Sequence, residues 1–259
     1  MGGSVFRLAG LVLVLATAGP ALGQFADDIQ RYDRRLRDAL EALEPKALAD
    51  WDAATAAREA RDATRSAEGY RRVIELAPTF SHAHRRLCTA LLREDRAADA
   101  IAQCRKAVEL EPLIENLAAL ALALASGPRA RDTTAEAIDL VRATLAADPD
   151  VANLIVICET TMRLKDVEDL DVCTNRLLLA EPNGALANYF ATVLYASRGL
   201  MAEARQALER AHGAGFPEPA YREMLVELTG GEPRTGRWAD YQERRAGRRL
   251  VVAAALRAR

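Results

Sequence analysis

The sequence predicts an all-α fold, a solenoid of stacked antiparallel helix pairs with flanking helices. Three observations predict it. Prolines 78, 112, 149, 182 and 217 recur at intervals of 34, 37, 33 and 35 residues. The first four close one phrase: Ile74-Glu75-Leu76-Ala77-Pro78, Val108-Glu109-Leu110-Glu111-Pro112, Leu145-Ala146-Ala147-Asp148-Pro149 and Leu178-Leu179-Ala180-Glu181-Pro182. Between these prolines, apolar residues fall at i, i+3/i+4 and i+7/i+8, the spacing of one helical face. The aromatic content is only 5% and alanine is frequent, which favours helix and lets helices approach closely. A period in this range marks a repeat array, in which each unit buries its apolar face only by stacking on its neighbours.

Residues 1–23 read as a secretory signal peptide. Arg7 is followed by an apolar run over 8–18, then Gly19-Pro20 and the small residues Ala21 and Gly23. That run is about half of what a membrane span requires. The expected mature chain starts near Gln24 and is exported, to the periplasm or beyond. Residues 24–45 follow as an amphipathic helix, with Phe25, Ile29, Tyr32, Leu36, Leu40 and Leu43 in a stripe that ends before Pro45. It reads as a cap on the first repeat, with a dimerisation helix as the alternative.

The repeat array is expected over 46–218. Its second unit is the clearest. Ala83, His84, Leu87, Cys88, Leu91 and Leu92 share one face of a first helix. Arg93-Glu94-Asp95-Arg96 leaves room only for a turn. Ala97, Ala100, Ile101, Cys104, Ala107 and Val108 share a face of the second helix. Pro112 stops that helix, because proline disfavours helix in the residue before it. Two helices joined so tightly lie antiparallel. The first unit (47–80) carries Ser66, Tyr70 and Val73. The third has a longer loop over 126–132, and the fourth spans 152–184. The fifth carries Ala191, Tyr195, Gly199, Ala204, Leu208 and Ala211. A capping helix is expected over 219–231. In the tail over 232–259, the stretch 234–259 holds eight arginines against Asp240 and Glu243, with Trp238, Tyr241 and Leu250-Val251-Val252 among them. It reads as a solvated final helix, with peripheral contact to an anionic membrane surface as the alternative.

Ala83, Leu87, Leu91, Ala100-Ile101, Ala107 and Pro112 resemble the tetratricopeptide repeat in kind and spacing, and the fifth unit resembles it as well. The resemblance covers about two thirds of the chain. It implies about five repeats in a right-handed superhelix, no catalytic role, and a concave groove lined by the first helix of each repeat that takes a peptide or a partner helix. Carried over by position, the candidate partner-binding residues are Trp51, Arg85, Thr89, Arg93, Asn116, Asn153, Thr160, Arg163 and Tyr189. Thr55, Ala119, Ala123, Val156, Val193 and Ala196 lie between them. Where chaperone-binding members clamp a carboxylate, Arg85 holds one position but Thr89 replaces the family's Asn.

The four cysteines fall into two pairs. Cys88 and Cys104 are each eight residues from Arg96, and Cys158 and Cys173 are symmetric about the Lys165–Asp166 turn. Equal distance from a turn sets two residues level on antiparallel helices. An oxidising compartment would then join Cys88 to Cys104 and Cys158 to Cys173, with free buried thiols as the alternative. A Cys-x-x-Cys spacing is absent, and four-thiolate zinc fails because the pairs lie two repeats apart.

Catalytic signatures are missing. The chain has three histidines and five serines, no Gly-rich phosphate loop, no His-Glu-x-x-His and no Gly-x-Ser-x-Gly. His82 and His84 point apart on a helix, and His84 reads as a core residue. Acidic and basic residues interleave, as in Asp27-Asp28 and Arg58-Glu59, the habit of a solvated face. A net charge of −2 gives no sign of nucleic-acid binding. The expected function is an exported, non-enzymatic protein-interaction scaffold without cofactor or metal. The alternative is a structural part of an envelope assembly that contacts its neighbours or lipid through the N-terminal helix or the basic tail.

Overall fold

A computed structural model describes the backbone of residues 20–128 and 131–230, with side chains from residue 30 onward. Residues 1–19 of the expected signal peptide (1–23) and the Arg-rich tail lie outside the described residues. Twelve α-helices, and no strands, occur among them. Helix α1 is Pro20–Leu43, α2 Leu48–Glu59, α3 Ala63–Leu76, α4 Ser81–Arg93, α5 Ala97–Leu110 and α6 Ile114–Ser126. Then come α7 Arg131–Ala146, α8 Val151–Leu164, α9 Val167–Ala180, α10 Ala185–Ser197, α11 Met201–Gly213 and α12 Glu218–Thr229. A single 3₁₀ turn, Pro45–Ala47, separates α1 from α2. Helix α1 ends two residues short of the expected 24–45 segment and begins before Gln24. Helix α12 replaces the expected 219–231 cap almost residue for residue.

The chain divides after Pro182 into two compact parts. In the first, α2/α3, α4/α5, α6/α7 and α8/α9 are hairpins, and each second helix also packs on the next hairpin's first helix. Helix α6 touches both α4 and α8, so the first helices form a face of their own. In the second part, α11 packs against α10 and α12.

Four hairpins reverse with the same turn. Arg61, Asp95, Lys165 and Gly199 hold φ of 61°, 58°, 62° and 78°, the left-handed region. The next residue's N–H closes a six-to-one bond in each case: Asp62 to Ala57 O at 2.9 Å, Arg96 to Leu91 O at 3.0 Å, Asp166 to Thr161 O at 3.0 Å and Leu200 to Tyr195 O at 2.9 Å. This is the Schellman stop, which satisfies carbonyls the helix end leaves unpaired. Asp62 and Asp166 then cap the following helix, accepting from Arg65 N at 3.0 Å and Asp169 N at 3.1 Å. The third hairpin shows no such turn among its described residues.

The core of the first part runs from Leu36 and Leu40 of α1 through Trp51, Tyr70, Val73, Phe80, Leu87 and Leu91 to Leu120 and Leu124. Helices α2 and α3 cross closely because Gly69 faces Ala54. A methyl added at Gly69 would meet the Ala54 Cβ at 2.6 Å. The two cysteine pairs lie together as the turn symmetry predicts. Cys88 and Cys104 have Cα atoms 5.4 Å apart, and Cys158 and Cys173 5.6 Å, at disulfide distance in both pairs. All four cysteines are buried, and no free cysteine occurs among the described residues.

Candidate interaction face

Helix α1 lies on the face made by the first helices. Its amphipathic stripe sends Leu36 and Leu40 into the core, which sets Tyr32 and Asp33 one turn earlier over α2, α4 and α6. Arg58 of α2 donates to Asp33 at 2.6 Å, and Arg86 of α4 donates to its other oxygen. Tyr32 donates to Glu115 of α6 at 2.9 Å and accepts from Arg85 of α4 at 2.7 Å. The Arg85 guanidinium also lies 5.7 Å from the Tyr32 ring centroid. Thus two adjacent residues of α1 tie three first helices together.

The electrostatics follow from burial. The side chains of Arg58, Arg86 and Asp33 are 13%, 11% and 16% exposed. Burial, reinforced by the cations of Arg58 and Arg85, pulls Arg86 down to about 10, so it is still charged at neutral pH. Burial pushes the Tyr32 phenol up to about 12; Arg85 opposes that and Glu115 adds to it, so Tyr32 stays a neutral donor. Arg93, at the end of α4, is held below its ordinary value by desolvation and then by Arg58. It makes no hydrogen bond or ion pair among the described residues. Further along the face, Arg163 donates to Glu159 at 2.9 Å. Burial raises the Glu159 carboxyl, against the pull of Arg163 and Arg93.

His82 stands at the start of α4, its ring 5.3 Å from that of Phe80. Desolvation first, then Arg85, lowers it to about 4, against the carboxylates of Glu111 and Glu115. The unfolded chain takes up this proton near 6.5, while the folded one resists it until about 4. Stability therefore falls on acidification through that window. Glu159 acts oppositely, so the difference between chains isolates the effect. The unfolding free energy of the wild type should drop more steeply from pH 6.5 to 4 than that of His82→Gln. Parallel slopes in urea titrations would show that His82 protonates freely in the fold.

The nine candidate partner-binding residues separate into two groups. Arg85, Thr89, Arg93, Asn153 and Arg163 reach the surface at least in part. Of these, Arg85 is engaged by Tyr32, and Thr89 turns its hydroxyl back to Arg85 O at 3.0 Å. Trp51, Asn116, Thr160 and Tyr189 face inward, which corrects their place in the groove. Trp51 is 2% exposed and packs edge-on to Tyr70 and Phe80. Asn116 caps the end of α5 through Ala107 O and Glu111 O, and Thr160 bonds Val156 O at 2.7 Å within its own helix. Tyr189 stacks on Phe216 at 5.1 Å. Arg58, read from the sequence as part of a solvated face, is a part-buried ion-pair partner. Asp33, Arg86 and Glu115 were not singled out by spacing. The signal was present only in part: Trp51, Thr55 and Arg58 fall at i, i+4 and i+7, one helical face.

A second concavity of about 400 Å³ lies between α3, α4 and α5, floored by Ile74, Leu87 and Leu91. His84 closes one side of it, buried as expected, its ring nitrogens 2.9 Å from Gln103 Oε1 and 3.0 Å from Pro78 O. No group of three or more His, Cys, Asp or Glu placed to hold a metal occurs among the described residues.

No family model matches the chain. No curated protein matches it. Among solved structures, it is similar to a crystal structure of MamA protein, at 17% identity over 65% of this chain and 91% of that one, with a TM-score of 0.46. It is also similar to the P58(IPK) TPR domain, at 13% identity over 83% of this chain and 70% of that one, with a TM-score of 0.32. The antiparallel helix pairs, their recurring turns and the prolines that close them give the described residues an all-α fold of stacked helix pairs, which resembles tetratricopeptide-repeat structures.

Proposed function

We propose that the chain is an exported, non-enzymatic scaffold that binds a peptide or partner helix on the face formed by α2, α4, α6 and α8. One observation carries the reading: an amphipathic helix, α1, already lies on that face, held by an aromatic hydroxyl and a carboxylate. A face that takes one helix in this way has the donors and apolar surface to take another. Arg93, Arg163 and Asn153 extend its donors beyond α1. Export is supported by the two cysteine pairs at disulfide distance, and no helix among the described residues is long and apolar enough to cross a membrane.

The test is capture of a partner from an envelope extract with the mature chain, followed by affinity measurement on Arg93→Glu. Arg93 makes no hydrogen bond or close ion pair, but it attracts Glu159, so circular dichroism must first show that the Arg93→Glu chain is folded. A charge-assisted hydrogen bond is worth about 1.5–3 kcal/mol, so affinity should fall about tenfold or more. Unchanged affinity would place the contact on another face or in the Arg-rich tail, and the structural-assembly reading would take over.

A further inference from the structure

We infer that the chain self-associates head to tail, the outer face of α9 in one copy docking into the concavity between α3, α4 and α5 of the next. The inference goes beyond the scaffold reading and does not depend on it.

The repeat itself shows that the α9 face is unusual. Counting back from the proline that closes each hairpin, the third and tenth residues lie two turns apart on one side of the second helix. In α3 they are Glu75 and Glu68, in α5 Glu109 and Ala102, and in α7 Ala146 and Asp139. In α9 they are Leu179 and Val172. Leu179 is 83% exposed and Val172 42%. Three hairpins thus keep this side polar or small, and the fourth sets two branched apolar side chains on it. Packing beneath α9 does not need them, because Leu170, Cys173 and Leu177 fill that role.

The concavity is the complement of this face. It opens where Ala102, the α5 counterpart of Val172, brings only a methyl to a lining shared with Ile74, Leu87 and Leu91. At its lip Arg96 and Asp99 pair with each other at 2.6 Å. Arg71 and Glu75, one turn apart on α3, also line it and make no hydrogen bond or ion pair among the described residues. Helix α9 carries groups that match them. Glu168, one turn before Val172, is likewise without an ion pair among the described residues. Asn175, between Val172 and Leu179, gives one amide hydrogen to Asp171 at 2.9 Å and has a second to offer. In the docked pair Glu168 meets Arg71 and Asn175 meets Glu75, while Val172 and Leu179 enter the concavity. Removing Leu179 from water drives the contact, and the polar groups fix its register.

Only a second copy can bring the two surfaces together. Both belong to the first compact part, but they face outward from different hairpins of one packed array. A contact between two different patches does not close on itself, so repetition gives open chains rather than a dimer. Its area is small, so the association is reversible.

Sedimentation velocity on the mature chain, at concentrations up to about 1 mM, reads the association. The wild type should grow beyond a dimer as its concentration rises. Leu179→Glu removes the inserted side chain and Ala102→Phe plugs the concavity, and each variant should sediment as a monomer. Mixed, the two should form one-to-one pairs and nothing larger, because each keeps the half that the other lacks. Arg71→Glu should weaken the wild-type association about twofold to fivefold, as for an exposed ion pair, and Glu168→Arg in the same chain should restore it. Positions 102 and 179 are exposed, and circular dichroism should show both variants folded. Should Ala102→Phe fail to fold, Ala102→Glu takes its place in the mixture.

A wild type that stays monomeric, or that stops at a dimer, overturns the inference. So does association that survives Leu179→Glu, or a mixture of the two variants that stays monomeric. Arg93→Glu, on the first-helix face, should leave self-association unchanged, so failure here is separate from failure of the scaffold reading.

Discussion

Truncating Trp51 to alanine should lower the stability of the first part of the chain by about 3–5 kcal/mol. The resemblance placed Trp51 at a partner-binding position, but the structure gives it 2% exposure. Its ring centroid lies 5.3 Å from that of Tyr70 and 5.5 Å from that of Phe80, edge-on to both. Such pairs add about 0.5–1.5 kcal/mol beyond the area they bury. The cavity left by an indole at the α2/α3/α4 junction cannot close, because Gly69 and Ala54 already hold α2 and α3 at contact. Urea unfolding followed by far-ultraviolet circular dichroism measures the loss. Because repeats are stabilised by their neighbours, amide protection should fall most in α2 to α4. A Trp51→Ala chain as stable as wild type but unable to bind its partner would return Trp51 to the interaction face.

Replacing Cys104 with alanine should cost about 3 kcal/mol, the chain-entropy value for a loop of this size. The bond spans 16 residues and joins the two helices of one hairpin. For a chain of this length that is about 6–12 °C in Tm. Helical content should survive, since the Schellman turn at Asp95 and the apolar faces of α4 and α5 remain. Reductant should bring the wild type to the same value or below, because it also opens Cys158–Cys173, which spans 15 residues. Peptide mapping without reductant supplies the direct check. Four free thiols in protein taken from its native compartment would remove the stabilisation and the support for export together.

The two substitutions draw on different parts of the sequence. The cysteine pairs were legible because symmetry about a turn is a local property. So was the end of each second helix, set by a proline and the residue before it. The helices themselves were legible from their three- and four-residue periodicity. What the sequence did not disclose was the turn conformation. Arg61, Asp95 and Lys165 take the left-handed region with no glycine to announce it; only Gly199 does. Their φ goes with the packed helices on either side, which leave a path of only two or three residues.

The face of α1 shows the limit most clearly. Its stripe of Tyr32, Leu36 and Leu40 marked it as a packing helix, but not what it would pack against. Asp33 meets residues 25 and 53 positions away, and Tyr32 meets one 83 positions away. Trp51 and Tyr189 likewise look the same in sequence whether they line a groove or fill a core. The sequence by itself determined the helix pairs, their ends and the cysteine pairing, because those depend on residues within a turn or a hairpin of one another. The tertiary structure alone decided which charges are buried, which candidate residues face inward and what covers the first-helix face. Those depend on which helices meet, and helix packing is settled by side-chain volume across distant segments.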